Sequence, residues 1–314
     1  MCTAICDGAL FGRTLDLEFS FSESVVITPR NFIFNFLYEG ELKHHYAMIG
    51  VAHVSGDVPL YYDAMNEAGL AAAALNFPDN AVYFKPRSNA HNVASFELIP
   101  WLLSKCRNVI EARELLEKTN VTDDSFSELL GATPLHFMLS DREGSVVVES
   151  VESGLLVHDN PFGVMTNSPP FGYHTTRLCD FMPLSSRPPE NKLCLSMPLA
   201  QYSRGMGAIG LPGDFSSSSR FVRAFFAKSQ AVKGQAKDEE INRFFHIMDT
   251  VNIPAGCVMT DTGDAVFTVY TSCADMDGLC YYFTTYNDRK IRRIDLLSAS
   301  LDERKLSVFS MKSE

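Results

Sequence analysis

Short apolar runs, broken at close intervals by turn residues, set the pattern of the first eighty positions. Residues 2–5 and 9–15 read as two strands joined by a tight turn at Asp7-Gly8, a strong hairpin signal. Residues 25–28 and 47–53 read as further strands. The alanine-rich stretch 70–76 has the composition of a helix. It follows the turn residues Asn66-Glu67-Ala68-Gly69 and stops at Pro78, so a buried strand is the better reading. Helices come next, 95–106 capped by Ser95 and 108–118 capped by Asn108. Residues 135–140 and 145–151 form a hairpin around Asp141-Arg142-Glu143-Gly144, and 155–158 and 163–166 are short strands. Ser218 or Ser219 caps a helix running to Gln230, and Asp238 starts another running to Thr250. Strands at 266–272, 280–285 and 290–295 close the chain. Antiparallel strands grouped apart from helices predict an α+β fold of stacked layers, sheets inside and helices outside.

No internal repeat, low-complexity tract or Pro/Gly/Ser-rich linker divides the 314 residues, so residues 2–314 are expected to form a single domain. The formal charge of −11 argues against a nucleic-acid partner, whose binding depends on Lys and Arg neutralising phosphates. It leaves room for an anionic small ligand held by local basic groups. The longest apolar stretches fall far short of the roughly 18 residues of a membrane span, so no membrane insertion is expected. Asp7 interrupts the first apolar stretch, and no basic start or long apolar run marks a secretory leader, so the expected location is cytoplasmic. The eight cysteines are scattered without a CxxC pair or a His at ligand spacing. They are expected to be thiols, mostly buried, with no metal site and no cofactor.

The informative residue is Cys2. Removal of Met1 would give it a free α-amine, which ordinarily titrates at about 7.7–8.0 and so is partly neutral near pH 7. A neutral amine can take the proton of its own thiol, placing nucleophile and base in one residue. Arg13 and Asp16 follow the hairpin in Phe11-Gly12-Arg13-Thr14-Leu15-Asp16. A cation beside a thiol favours the thiolate, and a carboxylate can position the ammonium. On a strand, residues three apart point to opposite faces, so a bend or bulge is expected to bring both to Cys2. Asn76 and Asn167 each end an apolar run just before a proline, a good place for an amide that stabilises an oxyanion. Arg220 is delivered to a helix start by the loop Gly210-Leu211-Pro212-Gly213-Asp214, a placement the helix dipole disfavours, which hints at a role elsewhere. Arg223, one turn on, is the alternative.

With these pieces assembled, the sequence resembles the choloylglycine hydrolase family, which includes conjugated bile acid hydrolases and penicillin V acylases. The resemblance rests on Met1-Cys2-Thr3, Phe11-Gly12-Arg13-Thr14-Leu15-Asp16, Met65-Asn66-Glu67-Ala68-Gly69-Leu70, Leu75-Asn76-Phe77-Pro78, Thr166-Asn167-Ser168-Pro169, Gly210-Leu211-Pro212-Gly213-Asp214, Ser219-Arg220-Phe221 and Tyr270-Thr271-Ser272-Cys273. It implies a four-layer αββα sandwich, the N-terminal nucleophile hydrolase fold, and a homotetramer. It also implies Cys2 as nucleophile and base with Arg13 and Asp16 in support. Asn76 and Asn167 would attend the tetrahedral intermediate, Asn167 also holding the α-amine, and Arg220 would complete the charge balance. The implied activity is hydrolysis of the C24 amide of conjugated bile acids of the glycocholate and taurocholate type, with acyl transfer to another amine as a side activity. Asn76 looks like the bile salt branch. The hairpin between Cys2 and Arg13 is shorter than in the bacterial bile salt hydrolases compared, which bears on substrate preference. For the steroid, Leu15, Phe21, Asn76 and Leu135, with Tyr61 or Tyr62, are the candidate lining residues.

Two readings from other classes compete. A papain-like Cys/His enzyme would carry a local signature around an internal cysteine, and none is present. A relative that only binds bile acids would not need the full residue set. Within the same chemistry, penicillin V or the N-acyl chain of a lactone is the alternative acyl group.

Overall fold

A computed structural model describes residues 1–128 and 131–312. Two antiparallel sheets lie face to face. The first has the strand order Val164–Met165, Cys2–Asp7, Leu10–Leu17, Ala265–Asp275, Cys280–Thr285, Arg292–Asp295, with Val258–Met259 paired to the fourth of these. The second runs Gly154–Asp159, Ser145–Val151, Leu135–Ser140, Ala71–Asn76, Val58–Asn66, Met48–Ser55, Ser24–Thr28, Ser307–Ser310. Helices α1 (Leu98–Lys105) and α2 (Val109–Leu116) cover the outer face of the second sheet, and α4 (Ser217–Gln230) and α5 (Lys237–Asp249) cover the first. A short α3 (Phe171–Arg177) packs beside α4. The result is the αββα sandwich.

The opening hairpin forms because Gly8, at φ 60°, tolerates the left-handed conformation that its two-residue turn demands. Gly12 serves a different need. A Cβ there would lie 2.0 Å from the Ser272 carbonyl, so only glycine lets the strand Leu10–Leu17 approach its partner. The stretch 71–76 is a strand, and its alternation splits two cores. Ala71, Ala73 and Leu75 join the core between the sheets, and Ala72 and Ala74 join the core under α1 and α2. Asn66 starts the turn before it by accepting from Ala68 and Leu70 N–H.

Several boundaries differ from the sequence reading, for local reasons. Ser95 opens a single 3-10 turn, Ser95–Glu97, rather than capping α1. The cap of α4 is Ser216, not Ser218 or Ser219, and its hydroxyl accepts from Ser219 N–H. Asn108 caps α2 as expected. The strands Val58–Asn66 and Ser307–Ser310 and the helix α3 carry no strong periodic signal and are found only in the structure.

Candidate active site

The opening hairpin places Cys2 directly across from Leu15, inside the first sheet. Its side chain faces the second sheet. So does that of Arg13, whose Nη2 donates to Cys2 Sγ at 2.6 Å. The guanidinium is fully buried. Its Nε donates to the Thr14 carbonyl and its Nη1 to those of Tyr62 and Ala74. Burial alone would lower the Arg13 pKa, yet Cys2, Tyr270, Asp63 and Asp16 together raise it and hold the charge.

Asp16 lies on the opposite side of the strand. Its carboxylate accepts from Thr14 Oγ1 at 3.0 Å and Thr268 Oγ1 at 2.7 Å. The expected bulge in its own strand is not needed, because the irregularity falls in the neighbour, between Thr268 and Tyr270. Arg13 and Asp16 therefore flank Cys2 from two faces, the first at the thiol and the second beside the backbone. With Met1 attached, its amine donates to the Asp16 carbonyl at 2.5 Å and its carbonyl accepts from Asp16 N–H at 2.9 Å.

Asn167 and Arg220 complete the backbone side. The side-chain oxygen of Asn167 accepts from Cys2 N–H at 2.7 Å and from Arg220 Nη2 at 2.8 Å, and its Nδ2 donates to the Asn76 carbonyl at 2.7 Å. Arg220 reaches out of α4 to the Cys2 carbonyl at 2.5 Å and Thr3 Oγ1 at 2.7 Å. Its dipole-disfavoured position is explained by these three acceptors. Burial lowers its pKa, and Asp16 and Cys2 oppose that. Arg223 is excluded from this group, since it donates to the carbonyls of Thr250, Pro212 and Asp214 and ties the loop to the end of α5.

Asn76 meets the site through its main chain. Cross-strand from Leu135, it continues the outward-facing set of Ala72 and Ala74, and its amide makes no hydrogen bond among the described residues. Of the lining candidates, Leu15 is buried beside Cys2, and Phe21 is half-buried against Phe19 and His53. Leu135 leans on the outer core, and Tyr61 is buried there with its hydroxyl on Thr28; Tyr62 faces Arg13 instead. A separate cavity of about 870 Å³, lined by Phe34, Phe36, Phe96 and Phe126, shares no residue with the Cys2 site.

The sequence reading missed the supports. His174 Nε2 and Ser217 Oγ both bond the Asn167 carbonyl, at 2.9 and 2.8 Å, and fix its strand end. Asp63 sits under Arg13, collecting hydroxyls from Tyr270, Ser272 and Tyr281. Only Tyr270-Thr271-Ser272-Cys273 had been singled out as a motif.

A thiol held by a buried guanidinium, at the second residue, with its own N–H held by an amide, is the arrangement of an N-terminal nucleophile amidase. A model for linear amide C–N hydrolases of the choloylglycine hydrolase type matches residues 2–309. The chain belongs to the choloylglycine hydrolase family. It is 43% identical to a bile salt hydrolase/transferase of Lactiplantibacillus plantarum, over 100% of this chain and 98% of the relative. A bile salt hydrolase/transferase of Clostridium perfringens is 36% identical, over 98% and 96%. The crystal structure of the C2A mutant of the Clostridium perfringens conjugated bile acid hydrolase superposes with a TM-score of 0.91 at 34% identity, covering 98% of this chain and 96% of that one. Penicillin V acylase from Agrobacterium tumefaciens shares the fold, with a TM-score of 0.79 at 22% identity over 100% and 92%. In this member of the choloylglycine hydrolase family no helix of the described residues is long and apolar enough to cross a membrane.

Proposed function

We propose that the chain hydrolyses the C24 amide of glycine- or taurine-conjugated bile acids, with Cys2 as nucleophile once Met1 is removed. The contact between Arg13 Nη2 and Cys2 Sγ carries this reading, because a buried cation at 2.6 Å favours a thiolate at the second residue. The names of the relatives at 43% and 36% identity support the substrate class.

In the proposed course the α-amine of Cys2 takes the thiol proton, and the thiolate attacks the amide carbon. The second N–H of Asn167 Nδ2 stabilises the oxyanion, while the Asn76 carbonyl holds the first. The C–N bond breaks as the α-ammonium passes its proton to the departing amine, leaving a thioester. Water gives a proton back to the α-amine, adds to the thioester and releases the bile acid and the thiol. Asp16 and Asn167 position the amine, and Arg220 holds Asn167 and the Cys2 carbonyl. With Met1 in place the nitrogen of Cys2 is an amide and cannot act as a base.

Any amine that reaches the thioester before water would be acylated instead, which accounts for a transferase side activity. We take residues 2–314 as one domain acting in the cytoplasm, as a homotetramer without metal or cofactor. The exposed apolar side chains of Met182, Leu193, Leu195, Met197 and Leu199, gathered in one loop, favour self-association.

Intact mass and assay of the same sample test the reading. Loss of one Met and turnover of taurocholate or glycocholate in preference to penicillin V is the expected result. Full activity in protein retaining Met1, or behind an uncleaved N-terminal tag, would overturn it.

A further inference from the structure

Arg13 is buried with no carboxylate hydrogen-bonded to its guanidinium among the described residues. The guanidinium donates instead to three carbonyls and the Cys2 thiol. A buried guanidinium and a thiolate make a balanced pair, whereas a guanidinium facing a neutral thiol does not. Something must hold the charge while Cys2 is protonated. Asp63 is the group in place. It is 1% exposed, on the strand Val58–Asn66 of the second sheet, flanked there by Val51 and Ala73.

Its partners all come from the opposite sheet. Tyr270 donates to Oδ1 at 2.6 Å, Ser272 to Oδ2 at 3.0 Å, and Tyr281 also to Oδ2. Burial raises the Asp63 pKa above the ordinary carboxylate value, and the Arg13 cation and the three converging hydroxyl donors oppose that by favouring the ionised form. Two links run from this cage to Arg13. Ser272 Oγ, while donating to Asp63, accepts the backbone N–H of Arg13 at 3.1 Å. The carbonyl of Tyr62, next in chain to Asp63, accepts from Arg13 Nη1 at 3.2 Å. The other groups facing this region are Tyr62 on its own strand, with Glu23 near it, and, on the backbone side of Cys2, Asp16 and Arg220.

We propose that Asp63 is the resident counter-charge of the Arg13–Cys2 pair, a positioning residue that acts through Arg13 to set how readily the Cys2 thiol gives up its proton. Ionised Asp63 offsets part of the field of Arg13, so the thiol is held back from full ionisation. A thiol ionised at every pH would be a weaker nucleophile, since nucleophilicity falls with basicity. The inference rests on Cys2 being the nucleophile, but not on the identity of the substrate.

The test uses the full chain with Met1 loss confirmed by mass, and reads the rate of Cys2 alkylation by iodoacetamide against pH, resolved by peptide mass spectrometry from the exposed Cys179 and Cys257. Asp63→Asn removes the charge and keeps the shape, so the alkylation midpoint should move to lower pH by about one unit. Tyr281→Phe keeps the carboxyl and removes one donor, so a smaller shift in the same direction is expected, and this variant decides the matter if the first does not fold. A midpoint that stays put, or rises, in either folded variant would overturn the assignment and leave Asp63 as a structural tie between the sheets. Wild-type protein that alkylates at Cys2 but leaves taurocholate intact would count against the substrate and not against Asp63.

Discussion

The two faces of the second sheet make opposite use of the same strands. On the outer face, Ala72, Ala74, Tyr61 and Phe137 pack with Phe36, Trp101 and Leu102 in a hydrophobic core. On the inner face the same strands supply Asp63 and meet Arg13, with Asp16 and Arg220 one layer further on, all buried. Burying apolar groups stabilises a fold wherever it happens. Burying a charge costs stability unless it is matched, so charges are kept inside only where each has partners. The outer core can thus be understood from volume and packing, and the inner one only from a full account of donors and acceptors.

The contrast is sharpest for Cys2→Ala. It should remove roughly 10⁴-fold or more of the amidase turnover while the urea midpoint stays near wild type, because the substituted side chain is small. A variant retaining appreciable turnover would mean the inner face is not the site. Arg220→Met comes next. It strips donors from Asn167, Thr3 and the Cys2 carbonyl at once, so a loss of about 3–5 kcal/mol in folding free energy is expected, together with activity. Trp101→Ala should cost a similar ~3–5 kcal/mol in stability, but kcat of the folded fraction should be unchanged, which chemical denaturation and assay on one preparation can separate. Altered kcat there would show the two cores to be coupled. Asn76→Ala should lower kcat by about 10²–10³-fold if its side chain reaches the oxyanion; a smaller loss would assign the contribution of this residue to its main chain.

The smallest effect concerns pH. Burial holds His174 below the usual imidazole range, so the folded protein keeps it neutral while the unfolded chain takes up a proton. Stability should therefore decline as pH falls through about 6.5, the ordinary value for the group, until the buried ring is itself protonated. His174→Gln keeps a donor for the Asn167 carbonyl and cannot titrate, so its stability should depend less steeply on pH. An identical slope would locate the acid sensitivity elsewhere.

Much of the site could be read along the chain because its parts sit at local landmarks. Cys2 is the second residue, Arg13 and Asp16 follow a turn, Asn76 and Asn167 precede proline-containing segments, and Arg220 follows a Gly/Pro loop. Four of these six meet through side chains, Asn76 joins them through its carbonyl, and Asp16 pairs by its main chain with Met1 while its carboxylate bonds Thr14 and Thr268. What was harder to read was direction. Local periodicity says that Arg13 and Asp16 face apart, but not that the nucleophile uses both faces. Leu135 and Tyr61 were apolar or aromatic residues in plausible places, and the strand register turned them to the outer core.

By itself the sequence determined most of the strands and helices, the hairpin that presents Cys2, and the family, since each depends on residues near one another in the chain. Only the tertiary structure decided which carboxylate answers Arg13. Tyr270 and Tyr281 lie 207 and 218 positions from Asp63, and no periodicity of 2 or 3.6 residues reaches across such an interval. Pairing between two sheets is settled by their packing, where a buried charge is tolerated only at the place where distant strands bring donors to it.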